Sequence, residues 1–217
     1  EVLLRGIPEQ GFSWSPNEDF LIYYPREEGV KDEGPLKRIV SPADRIPDTR
    51  GRSFLARYDI ASGTSERLTY GNHSTYMQDI SPDGKYLAFT LQEYGGFGVW
   101  HKDAELYMIR LSDGKTYPLT EANSAEGESY HSWSHNNRWL VFSSRRLDGL
   151  YTRPFFTYID DKGTAHKPFL LPQRNPVKYY KDLLWTYNLP EFIQEKVQVD
   201  THAVMETMRN TKGIHVK

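Results

Sequence analysis

The densest group of chemistry-bearing residues in the chain is RRLDGLYTR at 145–153, which sets Arg145, Arg146 and Arg153 beside Tyr151. Guanidinium groups present planar forks of N–H donors that match a carboxylate, a phosphate or a sugar acid, so the grouping points to an anionic ligand. The competing use of the same arginines is structural, in salt bridges between neighbouring elements or as solvated charge. Trp100, in the glycine-rich stretch GGFGVWH at 95–101, is a candidate exposed contact, whereas Trp14, Trp133 and Trp139 fit a β core better than a stacking platform. Gln78 and His131 are further candidates: an amide that binds polar groups, and an imidazole that can serve as ligand, base or capped structural residue.

Catalytic motifs are mostly missing. There is no G-x-S-x-G elbow, no H-E-x-x-H helix and no P-loop. With Cys 0, thiolate metal sites, disulfides and cysteine nucleophiles are excluded, and the redox state of the compartment cannot be read. Of the seven histidines, His131 and His135 are four apart, but a strand and a turn intervene, so helical metal-ligand spacing does not apply. His73, His101 and His131 are the trio that would have to meet for a histidine metal site. No catalytic residue, metal or cofactor is assigned from these patterns, and the reading is of binding rather than catalysis.

The 217 residues carry a formal charge of -2, which gives no general electrostatic reason to bind nucleic acid or an anionic membrane. No apolar run approaches the roughly 18 residues of a membrane span. Aromatic residues reach 14 %, with Tyr 15, Phe 10 and Trp 5, a composition that favours strands.

What positions the candidate residues is an internal repeat. GFSWSPNEDFLIYY from Gly11, MQDISPDGKYLAFT from Met77 and YHSWSHNNRWLVFS from Tyr130 align without a gap, with Ser15, Ser81 and Ser134 as equivalent anchors spaced 66 and 53 residues apart. Each copy reads as strand, tight turn, strand. The second strand alternates with period two and is apolar on both faces, which predicts a sheet covered on both sides. Downstream of each copy come two further strand-like runs around Gly63, Gly114 or Gly163. Four antiparallel strands per unit, repeated, describe the stacked blades of an all-β propeller. A β-sandwich would leave the period unexplained.

The pattern aromatic-Ser-Pro-Asp-Gly-Lys-x-Leu-x-Phe with a following Leu-Thr end resembles the WD-type repeat of TolB-like propellers; SPDGKYLAFT at Ser81 is the best match, and SPNEDF and SHNNRW are the departures. The resemblance covers about residues 1–172. It implies a β-propeller fold, a periplasmic location and a protein or peptide partner, and it is weak for function because similar blades serve scaffolds, peptidases and glycan-active proteins. Three blades are fewer than the usual four to eight. EVLLRG at 1–6 resembles the closing strand of a preceding blade, so the ring is expected to continue upstream or to be completed by self-association.

Strand direction places the insertions 28–52, 93–103 and 145–153 on one face, which becomes the expected working face. The same argument puts Phe12, Gln78 and His131 near the mouth of the central channel. Residues 173–217 form a C-terminal extension, with a short helix from Asn175 and Pro176, whose Tyr180, Leu183 and Leu184 would share a face, and a second from Asp200 through Met208. The leading functional expectation is a non-enzymatic TolB-like binding scaffold. Two alternatives stay open: a metal-dependent lyase acting on acidic sugars, and the gating propeller of a prolyl oligopeptidase-like enzyme.

Overall fold

The computed structural model describes residues 11–25, 52–71, 73–93, 95, 98–196 and 198–210. The expected strand at 1–6 and most of the insertion at 28–52 lie outside the described residues. Three four-stranded antiparallel sheets follow one another: β1 (Phe12–Trp14), β2 (Phe20–Tyr23), β3 (Ala56–Asp59) and β4 (Thr64–Arg67); β5 (Ser74–Ile80), β6 (Tyr86–Gln92), β7 (Glu105–Arg110) and β8 (Lys115–Pro118); β9 (Glu128–Trp133), β10 (Trp139–Ser144), β11 (Arg153–Tyr158) and β12 (Phe169–Leu170). Each sheet has its strands in sequence order. Successive sheets stack on one another, and the described residues form an arc rather than a closed ring.

The repeat is visible atom by atom. Trp14, Ile80 and Trp133, each just before its anchor serine, pair with Leu21, Leu87 and Leu140. The anchors close the hairpins identically. Ser15, Ser81 and Ser134 donate their N–H to the carbonyls of Phe20 (2.9 Å), Tyr86 (2.8 Å) and Trp139 (2.9 Å). Their hydroxyls accept from the N–H of the same residues at 3.1, 3.0 and 3.0 Å. Each hydroxyl then donates to an Asx side chain in the turn: Asp19, Asp83 or Asn136. A serine that spends its hydroxyl on local backbone specifies a turn rather than a strand.

The turn also needs one left-handed residue, three positions after the anchor. Gly84 (φ +70) and Asn137 (φ 61) suit it, but Glu18 (φ 57) does not. Glu18→Gly is therefore expected to raise stability by about 1 kcal/mol, read as an upward shift of the urea midpoint with unchanged m-value. A neutral or destabilising result would show that the Glu18 side chain makes compensating contacts.

The two apolar faces of each second strand do different jobs. The back face of the first sheet (Phe20, Ile22) meets the front face of the second (Ile80, Leu87, Phe89, Ile109) in one core cluster. The back face of the second (Ala88, Leu106, Met108) meets the front face of the third (Trp133, Leu140, Phe142, Phe155) in the other. Burial of this kind contributes about 25 cal/mol per Å² of apolar surface removed from water. The hairpin turns latch as well, with the Asp83 N–H donating to the Asn137 side-chain oxygen at 2.8 Å.

The extension carries α1 (Pro176–Asp182) and α2 (Thr201–Asn210). Both starts match the sequence reading: Asn175 accepts from the Lys178 N–H at 3.1 Å, and Asp200 from the His202 N–H at 2.9 Å. The first helix ends sooner than expected. Leu183 is already extended, so Tyr180 is buried while Leu184 is 72 % exposed, and the three do not share a helical face.

Candidate ligand-binding face

Gln78 and His131 are not at a channel mouth. Their strands begin earlier than the alignment suggested, at Ser74 and Glu128, so both residues fall mid-strand. A bulge precedes each, with Met77 (φ 53) and Tyr130 (φ 50) left-handed where the pairing register shifts. Bulges re-aim the next side chain, and here they turn Gln78 and His131 into the seams between sheets. The Gln78 amide donates to the carbonyls of Gly11 (2.8 Å) and Ile22 (3.1 Å) of the first sheet. His131, the equivalent residue, lies in the next seam at 8 % exposure, and among the described residues neither ring nitrogen meets a partner at full hydrogen-bond geometry. Burial lowers its pKa to about 4, and the backbone of Ala88 offsets part of that. In the same seam Asp79 accepts from the Trp133 N–H at 3.2 Å, and the indole N–H returns a bond to the Asp79 carbonyl. Burial, offset by that bond and reinforced by Glu191, raises the Asp79 pKa to about 6.

The arginines divide into different roles. Arg153 is 1 % exposed and donates to the carbonyls of Trp185 (2.5 Å), Leu183 (2.9 Å) and Thr152 (3.2 Å). Its fork is spent on holding the extension, so burial removes it as a solvent-facing anion donor; Tyr151 lies beside it, ring centroid 5.0 Å from the guanidinium carbon. Arg146 reaches Glu128 at 3.0 Å and bonds the Ser144 hydroxyl and the Ala122 carbonyl. Glu128, fully buried, is the centre that the sequence reading missed. It accepts from the Ser124 N–H and hydroxyl, the Ser144 hydroxyl and Arg146. A lone carboxylate opening an otherwise neutral strand, in ESYHSW, was the available signal. Arg145 alone keeps its fork. It is half-buried, with no hydrogen bond or ion pair from its guanidinium among the described residues, and desolvation lowers its pKa against the pull of Glu126 and Asp148.

The loops that carry these residues do converge. Lys102 pairs with Glu126 at 2.9 Å, and a Cβ on Gly149 would sit 3.1 Å from the same Glu126 carboxylate. Glycine is required at two of the junctions. A Cβ on Gly98 would fall 2.1 Å from the Tyr76 hydroxyl, and one on Gly127 (φ +83) would fall 2.3 Å from the His101 carbonyl. The segments 98–103, 122–128 and 145–152 thus meet at one end of the second and third sheets, with Trp100 39 % exposed on a 3-10 turn (Gly98–Trp100). His73, His101 and His131 are not assembled: among the described residues no three His, Cys, Asp or Glu side chains are grouped to hold a metal, and His101 turns to Asp103 at 3.7 Å.

No family model and no curated protein matches the sequence. Solved structures do match in shape. A putative TolB from Agrobacterium tumefaciens aligns at TM-score 0.51 and 19 % identity over 77 % of this chain and 50 % of that one. An oligogalacturonate lyase in complex with manganese aligns at TM-score 0.53 and 17 % identity over 80 % and 45 %. The β-propeller domain of the Trilobed protease from Pyrococcus furiosus aligns at 0.44 and 15 % over 72 % and 41 %. The chain spans half or less of the length of each. Identities this low carry fold and not activity, and the fold they support is that of a TolB-like β-propeller, present here as three four-stranded blades.

Proposed function

We propose that the chain is a non-enzymatic binding module of TolB-like type that takes a protein or peptide ligand on the loop face of its second and third blades, with an acidic side chain or carboxyl-terminus at Arg145. The observation that carries this is the half-buried Arg145 fork, which has no hydrogen bond or ion pair among the described residues, set among three converging loops whose other arginines are already committed. A desolvated guanidinium gains more from a carboxylate than a solvated one does. Trp100 and Tyr151 supply apolar contact at the same end of the blades, and Arg146 and Arg153 support the face from beneath through Glu128 and Asp148, while Gln78 ties the second blade to the first. His131 packs in the seam between the second and third blades. The periplasmic location and the choice of a polypeptide ligand rest on the repeat resemblance.

Screening an immobilised library of acidic and basic peptides tests the reading. Acidic peptides are expected to be retained, with Arg145→Ala weakening them about tenfold or more and Trp100→Ala weakening them less. Lys85→Ala, on the opposite hairpin face, should change nothing. Retention of basic peptides, or acidic retention indifferent to Arg145→Ala in a folded variant, sinks the assignment.

A further inference from the structure

The side of α1 and the residues that lead into it form a cleft of about 430 Å³. Everything that lines it lies between 173 and 183, so the Arg145 face takes no part in it. The volume is at the small end of the range for ligand pockets.

The walls of the cleft are fixed from the blade side. Asn175 caps the helix through the Lys178 N–H, and Pro176 opens the first turn. The buried Tyr180 donates its hydroxyl to the Leu171 carbonyl at 2.7 Å, and the same phenol meets the Gln173 side chain. Arg153 of the third blade donates to the Leu183 carbonyl at 2.9 Å. The Tyr179 and Tyr187 hydroxyls are 2.7 Å apart. Walls braced in this way need little ordering when a ligand arrives.

Asn175, Tyr179 and Leu183 follow one another at four-residue spacing and so form one stripe along the side of the helix and its end. Tyr179 and Leu183, both partly buried, are its apolar part. Beside them Lys178 and Asp182 cancel each other in an ion pair of 2.5 Å. Arg174 is left over, exposed at the rim and with no hydrogen bond or ion pair among the described residues. Between 173 and 183 the chain sets Arg174, Lys178 and Lys181 against Asp182 alone, which makes the local field positive.

We propose that this cleft binds a small carboxylate with a flat apolar body, the carboxylate in the Arg174 fork and the body against Tyr179 and Leu183. A guanidinium takes both oxygens of a carboxylate at once. An aromatic body gains further from the Tyr179 ring. The contacts are with side chains along the helix, and no main-chain N–H takes part. Arginine alone would be ordinary solvated charge, and the apolar stripe alone would not select an anion.

Titrating the full chain with naphthoate, followed through amide chemical shifts, tests this. Binding should saturate with a dissociation constant of about 1 mM or tighter, within reach of so small a ligand, and the shifts should centre on residues 173–187. Naphthamide keeps the body without the charge, and acetate keeps the charge without the body. Each should bind about tenfold more weakly than naphthoate, or less. Arg174→Gln, a change at an exposed position, should bring naphthoate down to the level of naphthamide and leave naphthamide unchanged. Arg145→Ala should bind naphthoate as the wild type does. The proposal is overturned by equal binding of naphthoate and naphthamide, by Arg174→Gln binding naphthoate undiminished, by shifts centred outside 173–187, or by loss of binding in Arg145→Ala. Failure to saturate by about 20 mM overturns it as well.

Discussion

Glu128→Gln is expected to destabilise the protein by about 3 kcal/mol, at the lower end of what breaking a buried ion pair costs. The carboxylate is fully buried and collects four donors, and the amide that replaces it turns an N–H₂ toward at least one of them. Arg146 is left with its Ser144 and Ala122 acceptors but without its counter-charge. The cost stays below the upper range because the Arg146 side chain keeps 18 % exposure and rests on the Phe155 ring at 4.6 Å. Urea unfolding measures the loss. In a double-mutant cycle with Arg146→Met, the double variant should regain about 2 kcal/mol relative to additivity. A cost below about 1 kcal/mol, or additive losses, would mean that water reaches the carboxylate.

The second large effect is hidden in the wild type. His131 has a folded pKa of about 4, below its ordinary value near 6.5, so the unfolded chain takes up a proton that the folded chain refuses. Its contribution to stability is full above about pH 6.5 and is lost as pH falls toward 4. Asp79 runs the other way. With a folded pKa of about 6 against 3.8, the folded chain holds a proton that the unfolded chain releases, and stability is gained as pH falls from 6 toward 3.8. Each shift of about two units is worth about 3 kcal/mol. In the wild type these two contributions are therefore expected nearly to cancel from pH 6.5 to 4. Asp79→Asn should expose the histidine, losing about 3 kcal/mol on acidification over that window. His131→Gln should expose the aspartate and gain about as much, because Gln78 shows that an amide fits the equivalent seam. Parallel pH profiles for the two variants in urea titrations would refute the pairing.

The repeat was legible because its information is local. An anchor serine, a turn residue that tolerates a left-handed backbone and a strand alternating with period two all act within about ten residues, so SPDGKYLAFT and its two relatives announced their hairpins. Both helix starts were equally plain, since Asn175 and Asp200 cap through a single side chain. The end of α1 was less so, because Leu183 leaves the helix to follow the Arg153 donors, thirty residues away in sequence.

Side-chain destinations followed tertiary structure alone. The sequence by itself determined that there are three equivalent four-stranded units, which loops lengthen on one face, and that Arg145, Arg146 and Arg153 sit together in one of them. It did not determine what each arginine faces. One bulge residue, Met77 or Tyr130, turns Gln78 and His131 from the channel side into a seam, and no alternation rule anticipates an inserted residue. Burial beside Glu128 makes Arg146 structural, and burial beneath the Leu183 and Trp185 carbonyls does the same for Arg153, while Arg145 has no hydrogen bond or ion pair among the described residues. Chemical type is written residue by residue, but partnership depends on which surfaces the stacked sheets and the returning chain bring within hydrogen-bond reach. That distance is settled only when the whole arc has packed.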